Sequence, residues 1–168
     1  MTGVQTCALP ICAEDIAKPS EYITLDIGGE SVIILRNSKG ILKAFFNVCR
    51  HRGTRICQNN KGNFSKTIQC GYHGWTYNLD GNLVGAPHMD NVDNFNKEDY
   101  HLHSVAIEEW EGFLFLNLND HPEQFGRMFE PILDRFSSWN LDQLSIKESR
   151  IYNVNCKGKL INQNFCEC

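Results

Sequence analysis

The chain has 168 residues, with 20 acidic against 16 Lys and Arg side chains and a formal charge of −4. That length supports one ordinary domain, or a small domain with part of a second, and a core that needs no covalent staples. The acidic balance offers no basic field to nucleic acid or an anionic membrane surface, and no apolar run reaches the ~18 residues of a membrane span.

Eight cysteines would suit a secreted disulfide framework. Two of them, however, share a tight spacing with histidines, and no positively charged leader precedes the apolar N-terminal run. A reducing cytoplasm with thiolate metal ligands is the expected setting. Residues 3–11, Gly-Val-Gln-Thr-Cys-Ala-Leu-Pro-Ile, resemble a sequencing adapter translated in one frame. Residues 1–12, with Cys7 and Cys12, are therefore set aside as a non-native segment.

Residues 22–27 and 31–35 are β-branched and aromatic runs around Gly28-Gly29, a hairpin signal. Asn37-Ser38-Lys39-Gly40 is a turn cluster, and 41–47 reads as a third strand that delivers the chain to Cys49. Residues 59–63 form a polar loop, and 67–69 a short strand reaching Cys70. Segments 75–78 and 81–84 flank the turn Asn78-Leu79-Asp80-Gly81. Residues 86–100 are loop-like, and 102–110 and 113–118 are expected as closing strands joined at Glu111-Gly112. Short antiparallel strands in succession argue for a small sandwich or barrel.

After Asn119 the period changes. Asp120 is expected to cap a helix whose first turn holds Pro122 and Glu123. Phe125, Met128, Phe129, Ile132, Leu133 and Phe136 then fall on one apolar helical face, expected to pack on the core, with Pro131 kinking or splitting it. Residues 145–155 resume strand character.

The chemistry sits in Cys49-Arg50-His51-Arg52-Gly53 and Cys70-Gly71-Tyr72-His73-Gly74-Trp75. Thiolates and imidazoles suit zinc, or an iron–sulfur cluster with mixed ligands. Zinc knuckles usually pair Cys with Cys and His with His, whereas each loop here offers one of each. A two-iron cluster in which one iron takes both thiolates and the other both imidazoles needs that arrangement. Arg50, Arg52 and Arg55 are either a solvated face or contacts for the reduced cluster and an acidic partner. Gly53 and Gly74 either let backbone N–H groups approach the sulfides or simply serve a turn. Tyr72 and Trp75 are expected to pack around the site and restrict water, and Cys57 to be a buried apolar residue. His88, His101, His103 and His121 lack a partner spacing and are expected to be structural or exposed.

These two stretches resemble the halves of the Rieske [2Fe–2S] motif, C-x-H followed by C-x-x-H, in the form found in Rieske non-haem iron oxygenase large subunits. That family includes aromatic-ring dioxygenases and quaternary-ammonium monooxygenases. Gly71 stands where the family often has Pro. Ala86-Pro87, residues 110–117 and Lys159-Leu160-Ile161-Asn162-Gln163-Asn164-Phe165-Cys166-Glu167-Cys168 extend the resemblance. Lys157-Gly158 and Gln163 depart from the family's Asn-Trp and Glu.

The resemblance implies that Cys49 and Cys70 bind one iron, and His51 and His73 the other. It implies a mainly β fold, a Rieske-type antiparallel sandwich with two cluster-binding loops. A short helical segment and the first strand of an α+β catalytic domain should follow. The expected division is a Rieske domain over 13–118, a helical connector over 119–140 and the start of the catalytic domain over 141–168. A mononuclear non-haem Fe(II), activating O2 to hydroxylate a small organic substrate, would be held by residues beyond Cys168. This chain alone is then expected to be inactive as an oxygenase. A reductase or ferredoxin would donate electrons, and the whole enzyme would be a homo-oligomer, a trimer. Glu167 falls where the family has a carboxylate linking a cluster histidine to the iron site of a neighbouring subunit. A stand-alone electron carrier and a structural zinc domain remain the alternatives.

Overall fold

Val32, Ile33, Ile34 and Leu35 are completely shielded from solvent, and this unbroken apolar run explains the architecture. The computed structural model describes residues 11–148 and 154–166. It places the run in strand β3 (Glu30–Arg36), between β2 (Glu21–Ile27) and β4 (Leu42–Phe46). Side chains alternate across a strand, so Ile33 and Leu35 enter one core while Val32 and Ile34 enter another. A strand covered on both faces reads as a continuous hydrophobic segment rather than an alternating one.

Three antiparallel sheets surround these two cores, as expected for a Rieske-type sandwich. The central sheet runs β4-β3-β2-β5, with β5 at Lys61–Asn63. A second sheet, of β6 (Thr67–Gln69), β7 (Thr76–Asn78) and β8 (Leu83–Gly85), covers the first core. The third pairs β10 (Phe113–Asn117) with β9 (Ala106–Trp110) and with β1 (Ile11–Cys12), and supplies Leu114 and Leu116 to the second core.

Polar side chains clamp the sheets together. Arg36 Nε donates to the Ile16 carbonyl at 2.9 Å and Nη2 to Glu109 at 2.7 Å, joining the central and third sheets. The buried Asn37 donates to Asp80 Oδ1 at 2.7 Å, joining the β3–β4 turn to the β7–β8 turn. At that same turn Gly81 lies against Phe45: a Cβ there would stand 2.5 Å from the ring, and φ is +87°.

Several elements differ from the sequence reading. Ile11 and Cys12, set aside with the N-terminal segment, pair with Leu114 and Phe113; residues 1–10 lie outside the described residues. The polar stretch 61–63 is strand β5, held by the edge of β2. Residues 102–105 are not a strand. Their backbone bonds are divided between Gly81 and β4, so the regular ladder begins only at Ala106.

The helix expected from Asp120 starts later, as α1 (Phe125–Leu133), with Gln124 at its cap position and no side-chain cap. Asn117 Oδ1 accepts the Asn119 N–H at 2.9 Å and Asn119 Oδ1 the His121 N–H at 3.1 Å; these local turns compete with a helical start. Pro131 lies inside α1, which ends two residues later, leaving Phe136 beyond it. The apolar face packs on the third sheet through Phe115, which sits 4.9 Å from Phe125 and 5.2 Å from Phe129. No α1 residue is fully buried. Residues 145–148 carry no strand, and 149–153 lie outside the described residues. Residues 158–166 form helix α2 (Gly158–Cys166). Among the described residues no helix is long and apolar enough to cross a membrane.

Gly81→Ala combines overpacking against Phe45, at about 1–3 kcal/mol, with a left-handed backbone, at about 1–2 kcal/mol. Urea denaturation should show a loss of roughly 2–5 kcal/mol, partly recovered in Gly81→Ala/Phe45→Leu; equal stability of Gly81→Ala and the parent would refute the close approach.

Candidate metal centre

The two Cys-His loops fold the same way. In the first, the Cys49 N–H donates to the Thr54 carbonyl at 2.8 Å and the Gly53 N–H to the Cys49 carbonyl at 2.9 Å. In the second, the Cys70 N–H donates to the Trp75 carbonyl at 2.8 Å and the Gly74 N–H to the Cys70 carbonyl at 3.0 Å. Gly53 and Gly74 have φ of +72° and +70°, a conformation that explains glycine at both turns. Their own N–H groups donate within the loop, which bears out the turn requirement.

Both thiols are buried, each residue 2% exposed, within the first core. His51 and His73 are half-buried, with ring centroids 4.7 Å apart and planes at 68°. The sequence-predicted quartet therefore comes together as an inner pair of thiols and an outer pair of imidazoles. Among the described residues no three His, Cys, Asp or Glu side chains form a ligand set for one ion. A [2Fe–2S] cluster asks for only two protein ligands on each iron.

Trp75, 1% exposed, stacks on His51 with centroids 4.8 Å apart and planes at 8°. Tyr72 lies against His73 at 3.8 Å but is 61% exposed. Trp75 thus shields the site as expected, whereas Tyr72 packs on His73 as expected but leaves most of its own surface to solvent. Among the described residues two buried donors in the surroundings have no hydrogen-bond partner, Arg50 Nε and Trp75 Nε1. Two orphaned donors beside two thiols and two imidazoles fit a group that carries its own acceptors, as a sulfide-bridged cluster does.

Burial raises the Cys49 pKa, while the Tyr77 hydroxyl and the His51 backbone pull it down and Cys70 adds to the rise. Burial lowers that of His51, helped by His73 and Arg52, favouring the neutral imidazole that a metal requires. Cys57 is buried away from the loops' tips, and burial pushes its thiol up to about 11 against the opposing pull of Arg55.

Two residues important to the site escaped the sequence reading. Tyr77 Oη lies 3.3 Å from Cys49 Sγ and accepts the Arg50 N–H at 3.1 Å. Its signal was alternation, since Tyr77 stands two residues after Trp75 and shares its face. Asn47, fully buried, accepts the Ile56 and Cys57 N–H groups at 3.1 and 2.8 Å and donates to the Cys57 carbonyl at 2.8 Å. It closes the far side of the first loop. Of the other histidines, His88, His101 and His121 are exposed, as is His103, but His103 contacts Arg50. Glu167 lies outside the described residues.

The Rieske [2Fe-2S] domain family matches residues 7–96. The chain belongs to that family. It is 31% identical over 158 residues to the carnitine monooxygenase oxygenase subunit of Acinetobacter baumannii, covering 93% of this chain and 42% of that protein. It is 34% identical over 154 residues to the glycine betaine monooxygenase oxygenase subunit of Chromohalobacter salexigens, covering 92% and 34% respectively. Among solved structures, a quaternary ammonium Rieske monooxygenase, described for carnitine oxidation and inter-subunit electron transfer, superimposes with a TM-score of 0.71 at 33% identity. That superposition covers 77% of this chain and 36% of the other. The Rieske chain thus spans about two fifths of the carnitine relative's length and about a third of the glycine betaine relative's.

Asn47→Ala would leave the Cys57 N–H without its partner in the core, at about 1–3 kcal/mol, while the Cys57 carbonyl keeps Arg55 Nε at 3.2 Å and the Ile56 N–H keeps the residue 47 backbone carbonyl at 3.4 Å. Chemical denaturation should show a loss of about 1–3 kcal/mol; a change below about 0.5 kcal/mol would remove Asn47 from this role. The high pKa of Cys57 predicts silence toward thiol reagents, which attack thiolates. At pH 8 the native thiol count of Cys57→Ser should equal the parent's and fall short by one only after unfolding. A lower native count would contradict this.

Proposed function

We propose that Cys49 and Cys70 hold one iron and His51 and His73 the other iron of a Rieske cluster. The chain is then the electron-relay domain of an oxygenase subunit. The observation that carries this reading is the inner-thiol, outer-imidazole pairing of the four side chains. When bound, the cluster supplies a one-electron carrier at roughly −150 to +300 mV, above the about −400 mV of four-Cys plant-type clusters.

The chain's own residues decide which side of the site is open to electron-transfer partners. Cys49 and Cys70 close the site on the protein side, where Trp75 and Tyr77 keep water out. His51 and His73 form its outer edge, so partners meet the imidazoles. Arg52 is exposed beside His51 and, among the described residues, has no hydrogen bond or ion pair of its own, which leaves it available to a partner's carboxylate. We assign the electron donor as a reductase or ferredoxin. The acceptor is a mononuclear non-haem iron in the part of the full-length enzyme that this chain does not span. Glu167 follows α2 and is assigned, on the family likeness alone, to the bridge toward a neighbouring subunit in a homotrimer. The relatives named above favour a quaternary-ammonium substrate over an aromatic one.

Protein purified without oxygen and reduced with dithionite should be red-brown when oxidised and give a rhombic electron paramagnetic resonance signal when reduced. A colourless protein with one zinc per chain would establish the structural-metal alternative instead. His73→Cys should retain a cluster with a lower midpoint potential, because a thiolate replaces a neutral ligand; an unchanged midpoint would show that His73 is not a ligand.

A further inference from the structure

Arg50 stands between the first cysteine and the first histidine, and it has a built seat. Its backbone N–H donates to Tyr77 Oη at 3.1 Å, and its guanidinium Nη1 meets Nε2 of His103. A guanidinium has donors and no acceptor, so Nε2 of His103 accepts and the ring proton resides on Nδ1. The His103 backbone is fixed in turn. Its carbonyl accepts the Phe46 N–H at 2.9 Å, Ser104 bridges Phe45, and the Val105 N–H donates to the Ala44 carbonyl at 2.9 Å. His103 therefore rides on β4, the strand that runs into the first loop. Partial burial lowers its pKa, Arg50 and His101 add to that, and Asp120 opposes it, leaving a neutral ring able to accept.

A long arginine side chain without an acceptor extends its head into water. Here the guanidinium is instead drawn back, with Nε buried and unpartnered in the protein. We propose that His103 is a positioning residue that holds the Arg50 guanidinium against the first cluster loop, so that its positive charge favours the reduced cluster. The inference rests on the cluster reading above. Net charge and hydrogen bonding around a cluster are established levers on its potential, and a partly buried charge acts more strongly than one in bulk water.

The test is a redox titration, followed by paramagnetic resonance, of cluster-loaded parent, His103→Leu, His103→Gln, Arg50→Gln and the double variant Arg50→Gln/His103→Leu. His103→Leu should shift the midpoint downward. His103→Gln, whose amide oxygen can accept the same bond, should restore it toward the parent value. In the Arg50→Gln background, His103→Leu should add no further shift, the mark of a residue acting through another. A parent midpoint in His103→Leu, or the same downward shift with and without Arg50, overturns the proposal. Should His103→Leu lose its cluster, His103→Gln decides: a parent midpoint supports the role and a lowered one refutes it. A parent protein that never shows the Rieske signal would instead defeat the cluster reading, a failure distinct from any difference among the variants.

Discussion

One hydroxyl group makes the two loops a single site. Tyr77 follows the second loop on β7, yet its Oη reaches Cys49 Sγ and the Arg50 N–H of the first. Each loop is a small closed turn with similar internal hydrogen bonds, and neither fixes its distance from the other. That distance is set where Tyr77 crosses between them, in a core that also contains Trp75, Cys49 and Cys70. Burial keeps the phenol protonated well above its ordinary range, so it remains a donor able to serve a thiolate. A binuclear cluster tolerates little variation between its two ligand pairs, and a hydrogen bond between buried groups restrains that spacing more tightly than apolar packing alone.

The sheets beneath extend the same logic. Among the described residues, Asn47 and Asn37 are the two polar members of an otherwise apolar buried set, and the side-chain oxygen and nitrogen of each are hydrogen-bonded at a junction. Asn47 joins β3, through Ser31 Oγ at 3.2 Å, to the return of the first loop at Cys57. Asn37 joins the β3–β4 turn to the β7–β8 turn that carries the second loop's strand. Both loops are thereby referred back to β3, the strand buried on both faces. The arrangement converts a non-directional hydrophobic core into a directional mount, which apolar contacts alone would leave free to slide.

The candidate ligands were legible because their spacing is local, with Cys and His two or three residues apart in each turn. The β-rich fold was legible because β2, β3 and β4 carry continuous or alternating apolar residues. What remained hidden depends on register between distant segments. Nothing near Lys61–Asn63 marks it as a strand, since β2 supplies its pairing from outside. Asn47 looks like the end of a strand until the chain returns at Cys57. Tyr72 and Trp75 read alike as aromatic cover, yet Trp75 is buried in the first core and Tyr72, at the tip of the second loop, is exposed. Asp120 looks like a cap in the sequence, but α1 starts later because Asn117 and Asn119 divert the backbone into side-chain-capped turns before the helix begins.

The three arginines around the first loop show how much of function is decided by neighbours rather than by residue type. Arg55 donates to the Cys57 carbonyl at 3.2 Å and pairs with Asp26 at 3.1 Å, so its charge is largely spent on holding the loop's return. Arg50 is folded back onto His103, which holds its charge beside the first loop. Arg52 is exposed and, among the described residues, makes neither kind of bond, while its field helps keep His51 neutral. A charge already paired has little left for a partner, whereas an unpaired one at a rim governs encounter. The same side chain thus serves as a brace, an internal field and an open contact, in that order of increasing freedom, within six consecutive residues of the sequence.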